Sequence, residues 1–112
     1  MKKVLHQELA AGRWNQLTTV EQMANIGSEV ERAIQWKEKN NPSRFEKAFE
    51  RALELLDLSL DSPRNKNHLK EIARTREILV DFLMGDNQFG TSSEFLRKYF
   101  LQFTYAARKH YL

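Results

Sequence analysis

Apolar residues recur at steps of three and four in four stretches of the chain, the period of an amphipathic helix. Over 19–39 the stripe is Val20, Met23, Ala24, Gly27, Val30 and Ile34. Over 44–60 it is Phe45, Ala48, Phe49, Ala52, Leu53, Leu56 and Leu60, and Leu55 and Leu58 widen it enough to serve two neighbours. Over 66–84 it is Leu69, Ile72, Ala73, Leu79, Val80 and Leu83, widened by Ile78 and Phe82. From 92 onward it is Leu96, Tyr99, Phe100, Phe103, Ala106 and Ala107, flanked by Phe95 and Tyr111. Residues 3–11 predict a short leading helix with Val4, Leu5 and Leu9 on one side and Gly12 as its cap. Trp14, in the connector 13–17, is expected to pack across the end of the bundle. No stretch alternates with the period of a strand.

The helix starts carry their own signals. Thr18–Glu21, Ser43–Glu46 and Thr91–Glu94 each have the spacing of a capping box, in which the hydroxyl and the carboxylate satisfy orphan backbone N–H groups reciprocally. The breaks are Asn40-Asn41-Pro42, Asp61-Ser62-Pro63-Arg64-Asn65 and the segment Gly85 to Gly90. Four helices joined by short breaks predict an all-α fold: one domain over 1–112, an antiparallel four-helix bundle with a short N-terminal helical extension.

Composition narrows the function classes. The absence of cysteine removes disulfides, thiolate metal sites and cysteine nucleophiles. The basic start, Met1-Lys2-Lys3, is interrupted by His6 and Glu8 before any signal-peptide core, and no window approaches the roughly 20 apolar residues of a membrane span. A cytoplasmic protein without membrane partners is therefore expected. The net charge of +3 is too small and too scattered to mark a dedicated nucleic-acid-binding arm.

The polar positions most suggestive of chemistry lie on the middle helices. Glu29 and Arg32 are three apart; Arg51, Glu54 and Asp57 follow on the second helix, and Arg74, Arg76, Glu77 and Asp81 on the third. Arg76 falls between Ala73 and Leu79, on the stripe expected to be buried. Facing carboxylates of this kind could hold a divalent cation. However, the Glu-x-x-Glu and Glu-x-x-Asp pairing of all-α nucleotide pyrophosphohydrolases is not met, because Glu77 and Asp81 are four apart. The near-equal number of arginines favours an interhelical ion network instead. No metal, cofactor or catalytic residue is expected.

The second candidate is a nucleic-acid surface built from Arg64, Lys66, Arg97, Lys98, Arg108 and Lys109 with interleaved aromatics. The aromatics Tyr99, Phe100 and Phe103 sit at core spacing, which favours a buried face with a solvated basic side. The loop residues Asp86, Asn87 and Phe89 lack the acidic alternation of a calcium loop, and Phe89 is expected either to tuck under the loop or to meet a partner.

Two stretches carry a resemblance: Gly12-Arg13-Trp14 through Ser28-Glu29-Val30-Glu31-Arg32, and Ala48-Phe49-Glu50-Arg51-Ala52-Leu53-Glu54-Leu55-Leu56-Asp57. The chain resembles a family of small prokaryotic all-helical proteins that are uncharacterised. The resemblance implies a prokaryotic cytosolic origin and no activity, cofactor or site residue. The expected function is a non-enzymatic interaction module that self-associates, because the apolar width exceeds what one seam needs. A nucleic-acid accessory protein is the alternative, and a carboxylate-metal nucleotide hydrolase the third reading.

Overall fold

Residues 12–109 are described by a computed structural model, and within them all regular structure is helical. Four α-helices follow one another: α1 (Thr19–Glu38), α2 (Pro42–Asp61), α3 (Leu69–Leu83) and α4 (Ser93–Lys109). Short 3-10 turns precede α1 (Arg13–Gln16) and α3 (Pro63–Asn65). They form a four-helix bundle. The expected leading helix over 3–11 and the flanking Tyr111 lie outside the described residues.

One capping box of the three forms. Thr18 Oγ1 accepts from the Glu21 N–H at 3.1 Å, and Glu21 Oε1 accepts from the Thr18 N–H at 2.9 Å. At α2 the helix starts two residues before the position expected. Pro42 occupies the first turn, where its missing N–H is no loss, and the Asn41 side chain caps by accepting from the Arg44 N–H. Ser43 is thus inside the helix and the Ser43–Glu46 box does not form. Asn40 takes the left-handed conformation that ends α1, with φ 56°. At α4 the cap shifts to Ser92, whose hydroxyl accepts from the Phe95 N–H. Thr91 is held instead by Asn87, whose side chain bonds the Thr91 N–H and carbonyl reciprocally. The third helix starts at Leu69 rather than 66, because the 3-10 turn claims the residues before it and the His68 N–H bonds the Asn65 carbonyl.

The helix with two buried sides is α1. Its buried positions are Gln22, Met23, Ile26, Glu29, Val30, Ala33 and Ile34, a wider face than the single stripe expected. It packs most extensively against α2 on one side and α4 on the other. At Gly27 a Cβ would lie 2.8 Å from Phe100 Cβ, so glycine sets how closely α4 approaches. The helix α2 buries Ala48, Phe49, Ala52, Leu55, Leu56 and Ser59. By contrast α4 buries only Leu96 and Phe100, with Tyr99 and Phe103 half-buried. Arg76, on the stripe expected to be buried, has a side chain 37% exposed, because it leans out to Asp57. Leu69, expected in the α3 stripe, is exposed in the first turn of that helix.

A closed polar cluster ties the start of α1 to the end of α2. Trp14 Nε1 donates to Ser59 Oγ at 2.9 Å. Gln22 Nε2 donates to the Trp14 and Leu17 carbonyls. Asn65 Nδ2 donates to Gln22 Oε1 and to the Ser59 carbonyl, and Thr19 Oγ1 donates to Asn65 Oδ1. These contacts place the first turn of α1 beside the last turn of α2, so the two helices run in opposite directions. Trp14, Gln22, Ser59 and Asn65 are all buried.

Candidate functional site

The nine residues of the polar set are divided among separate contacts. Within α1, Arg32 Nη1 meets Glu29 Oε1 at 2.8 Å; Glu29 is buried, and its Oε2 has no hydrogen-bond partner among the described residues. Between α2 and α3, Arg76 Nε meets Asp57 Oδ1 at 2.9 Å. Arg51 and Glu77 are exposed, and Glu54 is half-buried. Among the described residues no three acidic or histidine side chains lie close enough to hold a metal ion.

The basic set is also scattered. Arg97 bridges from α4 to two carboxylates of α1, Glu31 at 2.8 Å and Glu38 at 3.0 Å. The hydrogen bonds it donates to Glu31 and then Glu38 raise its pKa above the ordinary guanidinium value. Arg64 Nε donates to the Asn15 carbonyl. Lys66, Lys98, Arg108 and Lys109 are exposed, the last two in the final turn of α4, where a cation suits the helix dipole. A shallow groove of about 560 Å³ runs between α1 and α4 beside the Arg97 bridge, over Gly27, Ile34 and Phe100.

The most distinctive surface lies between α3 and α4. It begins with Asp81, which is spent on structure: its carboxylate accepts from the N–H groups of Gln88 and Phe89 at 2.7 and 3.0 Å. With the Asn87–Thr91 pair, this folds the connection to α4 so that Phe89 stands out from it, 48% exposed. The Arg74 guanidinium lies over the Phe89 ring, 5.1 Å from its centre. Next to this pair is an apolar slot of about 160 Å³ lined by Thr75 and Ile78 of α3 and Phe95, Leu96 and Tyr99 of α4. Glu71 and Arg74 border it, one of each sign. Phe95 is 57% exposed.

Helical spacing explains the arrangement. Leu96 and Phe100 point to the core, so Phe95 and Tyr99, four apart and one position earlier, turn toward α3. The Tyr99 hydroxyl donates to Glu71 Oε1 at 2.7 Å. Burial first, and the Glu71 carboxylate as a further cause, push the Tyr99 pKa up to about 12. The hydroxyl therefore stays a donor, and Glu71 keeps a fixed place on the rim. The surface offers an apolar recess of ring size and two opposite charges. In the sequence its elements were present separately, as the Phe95 flank, the Tyr99 stripe position and the Phe89 loop. Only the fold brings them beside Glu71 and Arg74.

Comparison with known protein families, with curated proteins and with solved structures finds no significant match to this chain. The residue roles therefore rest on the geometry. No described helix is long and apolar enough to cross a membrane.

Proposed function

We propose that this chain is a non-enzymatic helical interaction module that self-associates, working in the cytoplasm. The observation that carries this reading is α4, which leaves Phe95, Leu101 and Tyr105 at 57%, 47% and 57% exposure while burying only two large residues of its own. Burying one such side chain contributes about 1.5–3 kcal/mol. Phe95 lines the α3–α4 slot and Leu101 the α1–α4 groove, so the helix carries apolar surface on two sides beyond what its own packing uses. The two carboxylates on Arg97 weigh against the nucleic-acid alternative, because a guanidinium already shared by Glu31 and Glu38 is a poor phosphate ligand.

Sedimentation equilibrium over a wide protein concentration range tests the proposal. The expected result is a mass that rises from one chain to two and does so at high as well as low salt, since apolar contacts resist screening. A single-chain mass up to high micromolar concentration overturns it.

A further inference from the structure

Building on this self-association reading, we infer that the contact is a two-fold dimer in which Phe95 of each copy enters the α3–α4 slot of the other. Three features of the slot point to a second copy of the same chain as its occupant. The first is size. The recess holds about 160 Å³, and an apolar cavity of roughly 150 Å³ accepts a benzene-sized ring. The second is position. Phe95 lines the slot it would leave open to its partner, so one two-fold axis beside Phe95 sets both rings over both slots. A contact of this type is isologous: whatever one copy offers, the other must receive.

The third feature is charge. The rim carries one carboxylate, Glu71, and one guanidinium, Arg74, both on α3 and three residues apart. A two-fold axis crosses them, so Glu71 of each copy meets Arg74 of the other. A patch that is its own complement in charge suits a self-partner. A wholly acidic or wholly basic rim would have suited a foreign one. Tyr99 holds Glu71 in place through Oε1, and a carboxylate has further lone pairs for a second donor. The Phe89 ring lies against the Arg74 guanidinium, whose central carbon is 5.1 Å from the ring centre. The rim is thus positioned before any partner arrives, which lowers the ordering entropy of association.

The test is a charge exchange read by native mass spectrometry and sedimentation. Phe95→Ala should weaken the dimer by about 30-fold, as expected for loss of a central aromatic anchor, with no loss of helicity because Phe95 is exposed. Glu71→Arg alone and Arg74→Glu alone should each be monomeric, since each sets like charges against one another twice. Mixing the two variants should restore a dimer that contains one copy of each. A wild-type dimer that survives Phe95→Ala and both charge reversals overturns this site while leaving self-association standing. A wild-type chain that never dimerises overturns both, and capture of a foreign helix at the slot by such a monomer identifies the other occupant.

Discussion

At the base of α1 and α2, side chains from four segments interlock: Trp14, Thr19 and Gln22 on one side meet Ser59 and Asn65 on the other, each donor with a named acceptor. Between α3 and α4 the polar contacts are a tyrosine shared by the Glu71 carboxylate and the Thr75 hydroxyl and an arginine on an exposed ring, around an open apolar recess. Both regions join consecutive helices. In the first, every buried polar atom adds directional closure, and a foreign group could enter only by breaking several hydrogen bonds. In the second, the seam is incomplete and its exposed rings gain by being covered. The polar network closes one region, and the contact proposed above falls on the seam left apolar and unfilled.

The largest effect should come from opening the closed region. Asn65→Leu keeps the branched outline but adds volume, and it leaves buried Gln22 Oε1 without its donor while taking one partner each from the Ser59 carbonyl and the half-buried Thr19 hydroxyl. A buried unsatisfied group costs about 1–3 kcal/mol and the added volume about 1–3 kcal/mol more, so a loss of about 4 kcal/mol is expected in urea unfolding, with an unchanged m-value. A loss below about 1 kcal/mol would show that water satisfies the cluster and that the two regions differ less than their geometry says.

Next in size is Gly27→Ala. Alanine is the better helix former by about 1 kcal/mol, so an exposed glycine would gain from the change. Here the new methyl meets Phe100 Cβ at 2.8 Å, and α4 must shift away from α1. A net destabilisation of about 2 kcal/mol is expected in thermal unfolding. The same shift should alter the α3–α4 slot, so the dimer should weaken as well, which ties the seam's shape to a residue on the far side of α4.

The Tyr99 contact is smaller and carries a pH signature. The folded state keeps the phenol neutral to about pH 12, whereas the unfolded chain loses the proton near 10. Its contribution is full below pH 10 and is lost as pH rises from 10 through 12, because there the unfolded state binds fewer protons. With Tyr99 only half-buried, the effect should be about 1 kcal/mol. It is read as the difference between wild type and Tyr99→Phe across that window, which cancels the other tyrosines and lysines. Parallel curves for the two proteins would remove the Glu71 contact from the seam.

These effects also show which parts of the molecule could be read along the chain. Four helices were legible because each carries a long 3.6-period stripe, and the Thr18 cap was legible because its box is uncontested. The other two boxes failed for local reasons: Pro42 preset the start of α2 and Asn87 took Thr91. The central place of α1 was hidden because its second buried face includes two polar residues: Gln22, whose partner Asn65 lies 43 positions away, and Glu29, whose spacing from Arg32 could be read along the chain but whose burial could not. The buried cluster joins residues more than forty apart, and no periodicity reports that. The slot was illegible for the same reason: Phe95 and Tyr99 are neighbours in the sequence, but Glu71 and Arg74 belong to another helix.

The smallest expected effect lies on the rim of the α1–α4 groove. Arg97 lies between two carboxylates and is held in two good hydrogen bonds, which looks like a strong clamp. Its side chain is nevertheless 35% exposed, and its partners are 40% and 54% exposed, so water screens most of the attraction. Exposed pairs of this kind contribute about 0.2–1 kcal/mol. Arg97→Met keeps much of the aliphatic stem and should cost less than about 1 kcal/mol in urea unfolding, with the remaining loss disappearing near 1 M salt. A much larger, salt-resistant loss would mean that α4 is fastened to α1 chiefly by this bridge. In that case Gly27 and Phe100 would not be what sets the position of the seam, and the contrast between a closed base and an open side would have to be redrawn around the charged rim.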